Sequence, residues 1–591
     1  MATLRRKAEA ARSRPAAASP LVTWLRRQLR ASEAALIALA LLLGSVAGLT
    51  TLAQEAIAHA IQRAFYGIGL DDHLSAAADI APASLLALPI GALALAAFGY
   101  ATRRRRNAPI DVVEANALHG GVIPIRDSLT VSAQTLISNG AGASVGLEAA
   151  YAQIGGGVAS AVGQWLRLRR ADLRVLVGAC SGAAVGAAFG APLTGAFYAF
   201  EIVIGAYTPA AIAPVATAAL AAVVTARAIG APPYLIVLPT AEPIVSTDYF
   251  LYASLGLVCA VVGIAFMRAV TLTEAAMRRS RIPDLARPFA GSLLLIPLAL
   301  VSPQVLSGGH GALYVDLSMQ VSLGFLAMIF VLKIIASVVS LGFGFRGGLF
   351  FASLFLGSLI GQLFAGLVSM IPGANMVSSG DAALIGMAAL AVSIVGGPMT
   401  MSMLVLETTH DFALTSVALT ASLCASTLVR ETFGFSFSTW RLHTRGETIR
   451  SARDIGWVKN LTAGRMMRRD VPEVAEDATL AEFRRRFPLG SVRIVVATDA
   501  AGHYAGLVRV SAAFASDEEA ATVASVATCR DVAVQPDQDV SAIMRLFEAQ
   551  EVDDLAVVGE DGAILGLVGE KYVRRRYTEE IEKAQRELFG D

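Results

Sequence analysis

Glu148 stands where a glycine-rich loop, GAGASVG at 140–146, gives way to the apolar run LEAAYAQIG. A charge facing lipid costs about 2.5–3.5 kcal/mol on insertion scales, so an intramembrane acid faces a bundle interior or a watery path. Two chemistries fit this position. The carboxylate can cap a helix start, where the positive end of the macrodipole favours it. Alternatively, it can sit at an anion-binding helix N-terminus and compete with the anion for it.

The block around Glu148 recurs. GLEAAYAQIG at 146–155 returns as GLFFASLFLG at 348–357, and Pro192 to Glu201 in APLTGAFYAFE returns as Pro398 to Glu407 in GPMTMSMLVLE. The offsets are 202 and 206 residues, so two halves carry the same parts in the same order. Glycines at these helix starts let backbone approach closely and leave N–H groups unshielded. The same glycines could equally serve helix packing, since small residues are common between membrane helices.

The elements that hold these residues are apolar spans. With 591 residues, 55% hydrophobic and 16% charged, the chain is a membrane protein with something attached rather than one soluble domain. Runs 35–61, 82–101, 250–270 and 321–341 are long enough to cross ~30 Å of hydrocarbon. Runs 183–204, 347–367 and 383–406 are short or broken by Gly and Pro. Broken backbone at membrane depth needs protein or a cavity around it, so these runs point to a midplane site. Arg5, Arg6, Lys7, Arg12, Arg14, Arg26, Arg27 and Arg30 crowd the N-terminus, and Arg103 to Arg106 follow the second span. The positive-inside rule puts both groups in the cytoplasm, two crossings apart. The run 36–53 is followed by further spans and lacks a cleavage pattern, which makes it the first membrane helix rather than a secretory signal. Cys180, Cys259, Cys424 and Cys529 are scattered and suit apolar packing, neither a disulfide framework nor a metal cluster.

From Gly446 onward charge becomes dense and apolar runs shrink to strand length. Asp477, Gly502, Gly506, Leu507 and Val508 recur sixty residues later as Asp537, Gly562, Gly566, Leu567 and Val568. Each unit reads as an acidic helix start, a helix (480–487; 540–550), a strand, a turn and a strand. The pattern resembles a tandem pair of CBS domains.

The membrane part resembles the CLC family of voltage-gated chloride channels and proton/chloride exchangers, from about Gly120 to Gly446. The family's GSGIP is matched by Gly120-Gly121-Val122-Ile123-Pro124, and its GKEGP or GREGP by Gly146-Leu147-Glu148-Ala149-Ala150. GGxFxP is matched by Gly347-Gly348-Leu349-Phe350-Phe351-Ala352, after Lys333 in a KxxxS segment. The block GAAVGAAFGAPLTGAFYAFE at 182–201 is the closest match. The resemblance implies an all-α polytopic membrane fold, an inverted repeat of broken and tilted helices, with a C-terminal α/β CBS pair. The expected layout is a basic cytoplasmic N-terminus at 1–31, a transmembrane domain at 32–446 in halves of about 32–230 and 231–446, and a cytoplasmic CBS pair at 447–591 with units near 458–515 and 523–580. It further implies a homodimer in the cell membrane with one pore per subunit and both termini cytoplasmic. Chloride and similar anions would be the cargo, gated by Glu148, with no enzymatic activity.

Partial charge explains how such a pore works. Helix N-termini offer ~+0.5 of a charge and unsatisfied N–H groups, which hold an anion without trapping it. The expected anion site comprises Gly121, Val122, Gly146, Leu349, Phe350, Phe351 and Phe437. Gly121 replaces the serine of GSGIP, and Phe437, aligned on SFSTW, replaces the family's tyrosine; a slip by one would bring Ser436 there instead. Losing two hydroxyl hydrogen bonds at ~0.5–1.5 kcal/mol each weakens the site and loosens discrimination. Ala149 and Ala150 in place of Gly-Pro loosen the turn after the gate. In family exchangers a glutamate just after the position of Glu201 relays protons; here Ile202 stands there and cannot. That favours uncoupled, channel-like conduction, with exchange by another proton route as the alternative and a non-conducting CBS-regulated membrane sensor as the alternative of another class.

Other chemistries find little support. A nucleotide-binding CBS unit shows Thr or Ser followed three residues later by Asp, where this chain has Arg509 and Ala512, then Gly569 and Tyr572; no cofactor is expected, and dimerisation or coupling to the last helix is the expected role. None of the seven histidines is followed by Glu, so HExxH metalloprotease chemistry is absent. A magnesium path needs more buried acids than the helix starts supply. Arg167 to Arg170 and Arg574 to Arg576 read as solvated faces, with no nucleic-acid partner.

Overall fold

A computed structural model describes residues 24–589 except 25, 30–31, 70–71, 103–108, 232–243, 319–320, 372–376, 445–460 and 517–520. The basic groups at 5–14 and 103–106, Arg30 and the change of texture at 446 lie outside the described residues. The chain divides into two units, 1–454 and 455–591.

In the first unit each half repeats one helix order. The first half runs α1 Glu33–Tyr66, α2 Ala87–Thr102, α3 Val112–Leu118, α4 Ile125–Gly140, α5 Glu148–Leu166, α6 Arg170–Phe189, α7 Pro192–Tyr198 and α8 Pro209–Ala228. The second runs α9 Ser246–Arg279, α10 Arg287–Val301, α11 His310–Ser318, α12 Leu323–Gly342, α13 Phe350–Val368, α14 Ser379–Val395, α15 Pro398–Thr409 and α16 Phe412–Thr432, followed by α17 Phe437–Thr444. Counterparts match closely: α1 and α9 both have 34 residues, α5 and α13 both 19. At 1.5 Å per residue a 34-residue helix is about 51 Å long, so it crosses ~30 Å of hydrocarbon at a tilt or projects beyond it. Among the described residues, eight helices are long and apolar enough to span a membrane.

Lipid supplies no hydrophobic drive between helices, so small residues must let them approach. A Cβ at Gly44 or Gly48 of α1 would strike the backbone of Ala218 or Ala222 on α8, and one at Gly357 or Gly361 of α13 the backbone of Gly386 or Ala382 on α14. Leu41, Leu42 and Leu49 on α1 and Leu257 and Val261 on α9 point outward.

The breaks differ in detail from the sequence reading. The run 347–367, expected to be short or broken, forms a single helix from Phe350 onward, α13. The runs 183–204 and 383–406 are indeed divided, at Gly190 (φ 61) and at Gly397 (φ 75), each ahead of a proline that starts the next helix. After α7 the chain continues as a π-helical turn, Ala199–Ile204.

The second repeated block explains itself here. Glu201, at the end of the first half's block, accepts the Met399 and Thr400 N–H groups (3.1 and 2.8 Å) and the Thr400 hydroxyl (2.7 Å) at the start of α15. Glu407, at the end of the second, accepts the Leu193 and Thr194 N–H groups (2.7 and 2.8 Å) and the Thr194 hydroxyl (2.7 Å) at the start of α7. Each half caps the other's helix, as an inverted repeat with a two-fold relation requires.

The second unit contains β1 Glu473–Ala475, β2 Ile494–Thr498 and β3 Tyr504–Arg509, in that sheet order, with β1 parallel and β3 antiparallel to β2. β4 Asp554–Val558 and β5 Ile564–Gly569 repeat the hairpin. Val534 bridges Val557 in parallel, as Glu473 does Val496, so the first strand of the second CBS repeat survives as one bridge. The repeats exchange backbone: Arg468 bridges Leu567 and Thr528 bridges Leu507. Helices α18 Ala463–Met466, α19 Leu480–Arg486, α20 Val510–Ala515, α21 Val540–Gln550 and α22 Glu570–Phe589 accompany the strands. The acidic starts expected at Asp477 and Asp537 are displaced by two residues: Thr479 and Asp539 are the N-caps.

Candidate functional site

The first repeated block meets itself at the start of α5 and α13. Gly146 N–H donates to the Gly348 carbonyl (2.9 Å) and Gly348 N–H to the Gly146 carbonyl (3.0 Å). This single antiparallel bridge brings two helix N-termini together, so their unsatisfied N–H groups converge.

Glu148 lies between them, 3% exposed. Its Oε1 accepts the backbone N–H of Phe351 (3.1 Å), a group in the first turn of the opposite half's helix. Its Oε2 is buried with no hydrogen-bond partner among the described residues. The carboxylate rests against two glycines. A Cβ at Gly146 would run into it, and one at Gly348 would come within 2.8 Å of Oε2. The acid therefore stands where an anion bound by the α13 N-terminus would stand, in a slot that only absent side chains leave open.

A direct consequence concerns Gly146→Ala. The new methyl displaces the carboxylate, so anion flux at neutral pH rises several-fold and its pH dependence flattens. Gly324→Ala is the control, since its methyl meets nothing within 4 Å. Equal liposome efflux rates for the two variants would contradict the slot.

Next to Glu148 opens a cavity of about 150 Å³, lined by Pro109, Asp111, Val112, Glu148, Ala149, Tyr198, Gly347, Gly348, Leu349, Phe350 and Phe437, with Arg346 and Arg441 also in its wall. Leu349, Phe350 and Phe437 thus share a wall with the acid. Phe351 contributes its N–H from behind, its ring stacked on Phe189 at 5.7 Å. Ser436, the residue one step from Phe437, lines a different cavity, and its hydroxyl lies 3.1 Å from that of Thr439. Ile202 is buried in the π-helical turn and does not line the cavity.

Gly121 and Val122 are the correction. Neither lines the cavity, and Val122 is 41% exposed. They follow the C-terminal end of α3, where Gly120 (φ 61) and Gly121 (φ 82) reverse the chain and Gly121 N–H returns to the Ala115 carbonyl. The N-terminal end of α3 is the one that meets the cavity, and Asp111 caps it by accepting the Val113 N–H (2.7 Å). A sequence signal existed: Asp111 followed three residues later by Glu114 is a helix-start signature. Arg441 was also missed; it pairs with Glu274 at 3.1 Å and lies 5.6 Å from the Phe437 ring centroid.

Comparison with known proteins agrees with this architecture. The family model described as voltage gated chloride channel matches residues 90–430, and the CBS domain model matches 523–579. A ClcB-like chloride channel protein of Ralstonia nicotianae is 29% identical over 387 residues, 64% of this chain and 89% of that protein. Among solved structures, a slow cyanobacterial Cl−/H+ antiporter aligns over 69% of this chain and 97% of its own, with 21% identity and a TM-score of 0.60. A eukaryotic CLC transporter aligns over 93% and 98%, with 19% identity and a TM-score of 0.58. At these identities the two structures speak to the fold alone.

Proposed function

Because the chain belongs to the voltage-gated chloride channel family, whose members are multi-pass membrane proteins, and ends in a CBS domain, we propose that it conducts chloride across the cell membrane through one pore per subunit of a homodimer, with Glu148 as the gate. The observation that carries this reading is the Glu148 carboxylate bound to the Phe351 N–H at 3.1 Å. A tethered anion on the backbone donors of a helix start excludes a mobile one, and protonation or displacement frees the place. Phe437 brings no side-chain hydroxyl to the cavity wall, so bromide and nitrate pass as well. Both termini are taken as cytoplasmic, and the CBS unit serves dimerisation or coupling rather than nucleotide binding.

The mode is uncoupled, since Ile202 offers no group that exchanges a proton. The test is reversal potential in planar bilayers under separate chloride and proton gradients. Reversal that follows chloride alone, with two equal and independent conductance levels per dimer, is the expected result. A reversal shifted by the proton gradient would overturn it.

One observation favours the second reading, proton-coupled exchange by another route: Asp111, the N-cap carboxylate of α3, lines the same cavity as Glu148. In that case Asp111→Asn abolishes the proton-driven shift and leaves chloride flux.

A further inference from the structure

Three imidazoles form a line that ends behind the gate. His59 on α1 lies 6.3 Å, ring centre to ring centre, from His73 in the 67–86 connection. His73 lies 6.2 Å from His310, the first residue of α11, in a stacked arrangement. His310 in turn stacks on the Phe351 ring at 3.4 Å, and Phe351 is the residue whose N–H holds Glu148 Oε1. Glycine backbone also links His310 to the gate: a Cβ at Gly308 would lie 3.3 Å from His310 Nδ1 and 3.5 Å from Gly146 Cα, and Gly146 borders the carboxylate. His73 is exposed, His310 half-buried and Glu148 buried, so the line runs inward from the surface.

The groups facing this line are mixed in charge. Glu55 faces His59, Asp72 and His59 face His73, and Tyr151 faces both Glu55 and Glu148. Lys333, fully buried and donating to the Val305 and Ser307 carbonyls (3.1 and 2.8 Å), faces His310. Burial above all, and after it the neighbouring His73 and Lys333, disfavour a proton on His310, so one is held there only in passing.

We propose that His73 and His310 are a proton relay that loads Glu148 from the face bearing the 67–86 connection. A solvent proton binds His73. It passes through one bridging water to His310, where an N–H bond forms as that on His73 breaks. His310 then gives its proton, again through water, to the orphan Oε2 of Glu148. The products are a neutral carboxylic acid and a neutral imidazole, with no electron transferred. The neutral acid no longer rivals the anion for the Phe351 N–H. This inference rests on Glu148 being the gate.

A relay changes how fast the gate is protonated, not its equilibrium. The experiment is therefore a pH jump on one side of a bilayer holding the full-length protein. His310→Gln and His73→Gln each slow activation from that side by about tenfold or more. Steady conductance in symmetrical acid is unchanged, and free imidazole added on the same side restores part of the rate. Wild-type activation rates in both variants would overturn the relay, as would a loss of steady conductance that accompanies the slowing, which marks a structural role. His73, at the surface, keeps the test open if His310→Gln fails to fold. Failure of the gate itself reads differently: Glu148→Gln would then retain the wild-type pH response.

Discussion

Glu148→Ala conducts chloride at neutral pH as fast as the wild type does in acid, and its flux no longer varies with pH. The wild-type carboxylate is held by a charge-assisted hydrogen bond from Phe351 N–H and shielded in a slot between Gly146 and Gly348. Such a bond is worth about 1.5–3 kcal/mol. At 1.4 kcal/mol per factor of ten, removing this tethered competitor raises the free fraction of the site, and the flux, by roughly 10–100-fold at pH 7. Glu148→Gln separates charge from bulk. Its amide oxygen still accepts the Phe351 N–H, but as a neutral group it is more easily displaced, so flux falls between wild type and Glu148→Ala while pH dependence is equally lost. Chloride efflux from liposomes across the acidic to neutral range measures both. Wild-type pH dependence in the two variants would remove Glu148 from the gate.

Glu201→Ala lowers stability by about 2–4 kcal/mol and Glu407→Ala by somewhat less, the second largest effects expected here. Each carboxylate collects two backbone N–H groups and one threonine hydroxyl from the helix start of the opposite half. Truncation leaves those donors without partners. Leu193, which supplies one donor to Glu407, is 47% exposed, so water replaces part of that loss. Because both caps join α15 to α7 and the π-helical turn that continues it, the double variant departs from the sum of the singles. Thermal unfolding in detergent reads the effect; changes within 0.5 kcal/mol of zero in both singles would mean that the reciprocal caps contribute nothing.

The His73–His310 line bears on physiology through sidedness. A channel whose gate is loaded from one face opens faster when that face is acidified. The two CBS repeats exchange backbone through Arg468–Leu567 and Thr528–Leu507.

Class, repeat and the placing of Glu148 at a buried helix start could be read from the amino-acid sequence alone, because each rests on local or compositional physics. Apolar runs of spanning length have one stable solvent, an acid beside glycines at a helix start has few roles, and duplicated blocks at nearly one offset reveal duplicated structure. The turn at Gly120–Gly121 shows where that stops. Its letters resemble an anion-site motif, yet which end of a seven-residue helix meets the cavity depends on how α3 packs, and the answer was Asp111. The Pro-x-Thr and terminal Glu of each half were visible as a repeat, but not that each acid serves the other half. The meeting of His59, His73 and His310 was equally hidden, since hydrogen bonds and ring contacts between residues hundreds of positions apart are decided only when the two halves close on one another.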